Sequence, residues 1–304
     1  MYGAESYPCQ SAENWNMVEK LPYVIGDFVW TAMDYLGEAG IGSASIRTTG
    51  RQSMFQQWPW YNGWCGDIDL IGQKKPQSYL RDVLWHRLPV AMGVERPVPA
   101  GAYQSVSAWG WPLEQQCWTY PELTANDTMT VNVYSRAPLV RLYLNDNLIG
   151  EKTVDNTYRA KFHVPYRPGL LRAISYDDNG ETGSFDLQTA GAPVGLRLVA
   201  DRTEMEADGR DLIYIVIELI DANGHVVTNN SSAHVSLKAE GAGQLLAAGN
   251  ASPTDMASFR SVTPMFYNGR VLAIVKSGRT EGFFRLEATC RDLPSAVIEI
   301  RTAK

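Results

Sequence analysis

From about residue 100 onward, the apolar residues of this chain fall at every second position. TMTVNVYS (128–135), LVRLYLND (139–146), RAKFHVPY (159–166) and LLRAISYDDNGE (170–181) alternate apolar with polar residues, and Asn, Asp, Gly and Pro separate them. Successive side chains of a strand point to opposite faces, so this period specifies half-buried antiparallel strands. YLNDNLIG reads as a hairpin around Asn145 to Asn147, and YDDNGET as another with Asn179-Gly180 in its turn. After TAGAPVG (189–195), read as a linker, a second set follows: LRLVADR, LIYIVIELIDANGHVV, AHVSLKAEG, RVLAIVKSG, FFRLEATC and AVIEIRT. Strands at this spacing, each stopped by a turn signal, predict two β-sandwiches in tandem with a boundary near residue 191.

The front of the chain obeys a different rule. All nine tryptophans (Trp15, Trp30, Trp58, Trp60, Trp64, Trp85, Trp109, Trp111 and Trp118) lie in the first 118 residues. Flat aromatic faces are costly to expose and are commonly kept where a ligand covers them. YVIGDFVW (23–30) is nearly continuous apolar sequence, the pattern of a strand buried on both faces of a parallel sheet. AENWNMVEK (12–20) has helical spacing with Trp15 and Val18 on one side, and PQSYLRDVLWHRL (76–88) predicts a second helix opened by proline. The order is strand end, helix, strand, then a further αβ-type unit.

That order gives meaning to Glu5 in YGAESYP, the first candidate for chemistry. VIGDFVWTAMDYLGE (24–38) ends in Asp34 and Glu38, so two consecutive strand ends would bring carboxylates and Trp30 to one rim. In an α/β barrel that rim is the C-terminal face, where active sites are built. Trp58, Trp60 and Trp64 in QWPWYNGWCGD suit either a sugar platform or hydrophobic closure of a barrel end.

GAESYP, ENWNMVEKLPYVIGDFVWTAMDYLGEAGIG and CGDIDLIGQKKPQSYLRDVLW together resemble the end of the catalytic barrel in β-galactosidase-type enzymes of glycoside hydrolase family 2, over nearly all of residues 2 to 98. The resemblance implies that Glu5, at the end of the seventh barrel strand, is the nucleophile. It implies that Trp30 lines the sugar pocket from the eighth, with Asp34 and Glu38 in supporting roles. Trp30, Asp34, Trp60 and Trp64 are the expected substrate-binding residues. A retaining glycosidase needs two carboxyl groups about 5 Å apart, one to attack the anomeric carbon and one to protonate the leaving oxygen. In the family the second comes from the fourth barrel strand, and strands one to six, the sugar-binding domain and its jelly-roll-like companion are absent from these residues. An eight-stranded barrel takes on the order of 250 residues, so the chain alone is expected to be inactive.

WGWPLEQQCWTYPE with VNVYSRAPLVRLYLNDNLIGEKT resembles the immunoglobulin-like domain that follows the barrel in Bacteroidetes-type members. Residues 192–304 resemble their additional C-terminal domain; ADRTEMEADGRDLIYIVIELIDANGHVV is also similar to bacterial adhesin-type repeats. The expected fold is therefore mainly β: the end of a TIM (β/α)8 barrel, its last two β/α units, over residues 1–98, then immunoglobulin-like β-sandwiches over 99–190 and 191–304. The expected partner is a β-galactoside or related β-glycoside, and a periplasmic or secreted bacterial parent fits the resemblance. The alternative is a non-catalytic carbohydrate-binding or scaffolding protein of two sandwiches, with the first 98 residues as a packed adaptor.

A net charge of -6 without a Lys/Arg cluster argues against nucleic acid or an anionic membrane as partner. No apolar run reaches a membrane span, and the first residues lack the basic-then-apolar order of a signal peptide. Cys9, Cys65, Cys117 and Cys290 lie far apart without C-x-x-C spacing and read as free, mostly buried thiols, so neither a metal nor a cofactor is expected. His86, His163, His225 and His234 read as surface or strand residues, Asp177-Asp178 as a turn, and the sequons at Asn126, Asn229 and Asn230 as short chance matches. Two barrel strands with open edges predict self-association.

Overall fold

The structure is a computed structural model that describes residues 3–51 and 53–304, and the chain divides into one unit ending at Thr189 and a second running Ala190–Lys304. In the first unit, β1 (Gly3–Ser6), α1 (Ser11–Lys20) and β2 (Asp27–Val29) form a strand–helix–strand arrangement with β1 and β2 paired in parallel. Downstream, β3 (Ala44–Arg47), α2 (Pro76–Leu84) and β4 (Val90–Glu95) precede β5 (Tyr103–Val106), which pairs antiparallel with β3. Proline opens α2 as expected, but the helix ends at Leu84, and His86 at φ 57° turns the chain away.

The run 23–30 departs from its expected burial. Only Asp27–Val29 is strand, and Tyr23, Ile25 and Phe28 are 58%, 81% and 63% exposed. The physical reason is that β2 has β1 as its sole sheet neighbour among the described residues, so the pair is not the interior of a larger sheet.

The first sandwich continues with β6 (Glu114–Gln115), β7 (Thr128–Ser135), β8 (Leu139–Leu144), β9 (Asn147–Thr153), β10 (Arg159–Pro165), β11 (Leu170–Asp177) and β12 (Gly180–Gln188). Its sheets run β10-β7-β4-β6 and β12-β11-β8-β9 and enclose a core that includes Met92, Trp118, Val131, Leu142, Phe162 and Leu171. Asn145 and Asp146, at φ 50° and 62°, make the β8–β9 hairpin turn that the sequence places there. One boundary needs correction: the sandwich does not start at 99, because β4 pairs along its length with β7. Val90 to Val94 are all buried, with α2 packed on one side through Leu80, Val83 and Leu84 and the sandwich core on the other. Glu114 is buried at this junction and accepts from Trp111 Nε1 (2.7 Å), Asn132 Nδ2 (2.5 Å) and the Tyr134 hydroxyl. Trp111 is thereby a structural tryptophan.

The second unit comprises β13 (Gly195–Ala200), β14 (Glu204–Glu206), β15 (Leu212–Ile220), β16 (Val235–Gly241), β17 (Gly243–Gly249), β18 (Arg270–Ser277), β19 (Gly282–Cys290) and β20 (Ala296–Ala303). The sheets β13-β15-β18-β17 and β14-β20-β19-β16 close over Ile213, Ile215, Ile217, Phe266, Val271, Phe284 and Leu286. None of the four cysteines is in a disulfide. Cys65 and Cys117 are buried, whereas Cys9 is exposed and Cys290 half-buried.

Candidate active site

The parallel pairing of β1 and β2 sets Glu5 and Trp30 at neighbouring strand ends. Ser6 lies opposite Val29, and the Trp30 amide donates to the Ser6 carbonyl at 2.8 Å. Alternation along β1 turns Ser6 inward, where its hydroxyl accepts from Asn14 Nδ2 of α1 at 2.8 Å, and leaves Glu5 exposed. Trp30 is 37% exposed, is joined to Thr31 by a cis peptide, and meets Tyr35 edge to face with ring centroids 6.4 Å apart.

Tyr35 is itself fixed. Its hydroxyl donates to Glu38 Oε2, and Gly63 lies against its ring so closely that a Cβ there would sit 2.8 Å from it. Burial, then this bond to Glu38, pushes the Tyr35 phenol well above its ordinary range. Glu38 thus holds the aromatic that backs Trp30.

Asp34 requires correction as a substrate-binding residue. Its carboxylate is buried, accepts from Lys75 Nζ at 2.9 and 3.1 Å and from the Gly66 amide at 2.8 Å, and presents nothing to the rim. Lys75 Nζ also donates to the Trp64 carbonyl at 2.6 Å and lies 4.2 Å from the Trp64 ring centroid. Burial raises the Asp34 carboxyl, and the Lys75 ammonium draws it back only in part. The pair is a brace between the segment after β2 and the start of α2.

A second buried pair, Arg81 Nε to Asp67 Oδ2 at 2.5 Å, extends to the Ser11 hydroxyl at 3.1 Å and so ties α2 to the first turn of α1. Sequence reasoning missed Lys75 and Arg81. The available signal was two cations at the head and in the middle of a helix whose remaining face is apolar.

Trp60 and Trp64 are half-buried and meet edge to face at 5.5 Å, with Trp60 Nε1 donating to the Asn62 carbonyl at 2.8 Å. Trp58 is 75% exposed. Two residues after Glu5, Tyr7 stacks on Trp109 with centroids 4.3 Å apart and planes at 14°. Nothing local in the sequence announces that contact, since Trp109 lies beyond β5. Among the described residues, no three His, Cys, Asp or Glu side chains are grouped so as to hold a metal ion.

Comparison with known proteins bears on the family of the chain. A family model described as Glycoside hydrolase family 2 C-terminal domain 5 matches residues 196–299, and one described as Domain of unknown function (DUF4982) matches 126–183. The crystal structure of a glycosyl hydrolase family 2 member from Bacteroides cellulosilyticus is similar over 100% of this chain and 39% of its own length, with a TM-score of 0.90 and 35% identity. The chain is a C-terminal segment of glycoside hydrolase family 2. Among other family relatives, Beta-galactosidase BoGH2A of Bacteroides ovatus is 25% identical over 292 residues, which are 95% of this chain and 30% of that protein. A putative beta-glucuronidase of Formosa agariphila is 25% identical over 215 residues, or 70% of this chain and 18% of its own length. The chain spans less than two-fifths of each of these relatives.

Proposed function

We propose that this segment supplies the nucleophile and part of the sugar platform of a retaining β-glycosidase, with β-galactosides as substrates. The observation that carries the reading is the register of β1 and β2, which sets Glu5 beside Trp30 on an exposed rim. In this reading β1 and β2 are the seventh and eighth strands of a TIM barrel, and the two sandwiches are immunoglobulin-like braces. Glu5 attacks the anomeric carbon as the leaving oxygen takes a proton from an acid outside these residues. A water molecule, deprotonated by that same group, then opens the glycosyl ester and frees Glu5. Trp30 lies under the apolar face of the sugar, steadied by Tyr35 and Glu38. These residues alone lack the acid/base, so the isolated chain does not turn over.

A second substrate class, β-glucuronides, is favoured by the name of the Formosa relative. One experiment addresses both points. A polypeptide carrying all eight strands is treated with 2-deoxy-2-fluoro-β-galactosyl fluoride and with its glucuronyl counterpart, and the labelled peptide is mapped. The adduct is expected on Glu5 from the galactosyl reagent, and Glu5→Gln is expected to lower kcat by at least about 10^3-fold, the scale seen when a nucleophile is removed. An adduct on another carboxylate sinks the assignment.

A further inference from the structure

The stack of Tyr7 on Trp109 joins two segments that the strand–helix–strand arrangement does not explain. Tyr7 follows β1, two residues after Glu5 and on the same side of the extended backbone. Its main chain is held by the Gln10 amide, which donates to the Tyr7 carbonyl at 2.9 Å, and by Gln10 Oε1, which accepts from the Tyr7 amide at 3.4 Å.

Trp109 comes from the turn Ser107–Gly110, beyond β5. That turn is closed by the Gly110 amide on the Ser107 carbonyl at 2.9 Å and tied to the residue before β3 by the Ser107 amide, which donates to the Ser43 carbonyl at 3.1 Å. The seat is tight: a Cβ on Gly110 would lie 2.8 Å from Val106 and 3.0 Å from the Gly42 carbonyl. Cys9 Sγ donates to the Ala108 carbonyl at 3.3 Å, a second tie between the same two loops. The turn is therefore an anchored platform, and its aromatic face is spent on Tyr7.

We infer that Tyr7 and Trp109 are a positioning pair for Glu5: the turn after β5 fixes the Tyr7 ring, and the Tyr7 hydroxyl donates to the Glu5 carboxylate and orients it for attack. The inference rests on the reading of Glu5 as nucleophile. A stacked pair of this geometry is favourable beyond the area it buries, and a phenol donating to a carboxylate makes one of the stronger hydrogen bonds available to it. A carboxylate nucleophile at an open strand end otherwise samples several rotamers, and freezing one of them is a recognised way to prepare a group for attack. The Tyr7 phenol is held above its ordinary range by burial, then by the charge of Glu5 and the bond to it.

The test uses the 304-residue chain with tyrosine rings labelled at Cζ, and it follows the pH titration of Tyr7 by NMR, with Tyr7→Phe identifying its signal. In Glu5→Gln the Tyr7 titration is expected to fall by on the order of one pH unit, the scale one neighbouring charge imposes. Trp109→Ala is expected to lower it in the same direction and to remove the ring-current shift. Trp109→Phe, which keeps a stacking face, is expected to restore most of both. If Tyr7 titrates in Glu5→Gln as in the parent chain, the hydrogen bond is absent and the inference falls. If Glu5→Gln moves it but neither Trp109 variant does, the platform has no role and the inference also falls. None of these readings needs turnover, so failure of the glycosidase assignment would appear separately, as a fluorosugar adduct away from Glu5.

Discussion

Strand β15 and the run around β2 are both strongly apolar in sequence, and they end in opposite surroundings. In β15, Ile213, Ile215, Ile217 and Leu219 are at most 1% exposed, because β13 and β18 flank the strand and the facing sheet covers it. Around β2, Ile25 is 81% and Phe28 63% exposed, with β1 alone as sheet neighbour among the described residues. An apolar run reports a demand for neighbouring strands, and only the topology shows how many it has.

The largest effect that distinguishes the two regions is a core truncation. Phe284→Ala, at a fully buried position, is expected to lower the stability of the second unit by about 3–5 kcal/mol. Phe28→Ala is expected to change the first unit by no more than about 0.5 kcal/mol. Denaturant midpoints followed by hydrogen exchange on β19 and β7 would read the two separately. A large cost for Phe28→Ala would mean that β2 is covered in solution, as self-association of the chain predicts.

Next in size is the buried brace. Asp34→Ala leaves the Lys75 ammonium buried without its carboxylate and is expected to cost the first unit about 3 kcal/mol or more. The double variant Asp34→Leu with Lys75→Met is expected to recover most of that loss in the same denaturation measurement, because two apolar side chains need no solvation. A double variant as unstable as the single one would mean that Lys75 acts mainly through the Trp64 carbonyl.

The two regions also treat loop aspartates differently. Asp69 accepts the Ile71 and Gln73 amides on a single oxygen, at 3.0 and 2.9 Å, and burial outweighs them to push its carboxyl up to about 6. At Asp221, burial acts in the same direction, but the amides of Gly191, His225 and Asn223 serve both oxygens and hold it at about 2. The signs are opposite. Asp69 binds its proton more tightly folded than unfolded, so its contribution is full below the ordinary value of 3.8 and is lost as the pH rises through about 6. Asp221 binds its proton more weakly when folded, so its contribution is full above 3.8 and is lost as the pH falls through about 2. Each is worth on the order of 2–3 kcal/mol. Midpoints measured from pH 2 to 8 should lose the first slope in Asp69→Asn and the second in Asp221→Asn, and a common slope in both units would contradict the contrast.

The smallest effect is expected at the surface. Arg172→Ala removes an exposed bidentate pair with Asp186 and should cost under about 1 kcal/mol by thermal melting.

What the sequence disclosed follows from the range of the forces involved. TMTVNVYS became β7 without a residue's error, and the Asn145-Asp146 turn sits where its local backbone preference puts it. Period and turn chemistry are local, so they can be read along the chain. β4 (VAMGVE) is apolar without alternation, which reflects burial between a helix and a core, so nothing local marks it as a strand of the sandwich. β17 (GQLLAAG) went unseen because glycine and alanine carry little strand preference. At the candidate site, the strand–helix–strand order is enough to expect Glu5 and Trp30 at neighbouring strand ends, whereas the roles given to them come from the family resemblance and not from local pattern. Asp34 was misread because its partner Lys75 is 41 residues away, and the Tyr7–Trp109 stack was invisible for the same reason.

The reading of Glu5 as a nucleophile separated from its acid/base is tested most directly by hydrolysis of a chromogenic β-galactoside by the purified 304-residue chain beside its Glu5→Gln variant. No turnover is expected from either. Turnover by the parent chain that vanishes in Glu5→Gln would place an acid/base within these residues or across a dimer, and would contradict that reading.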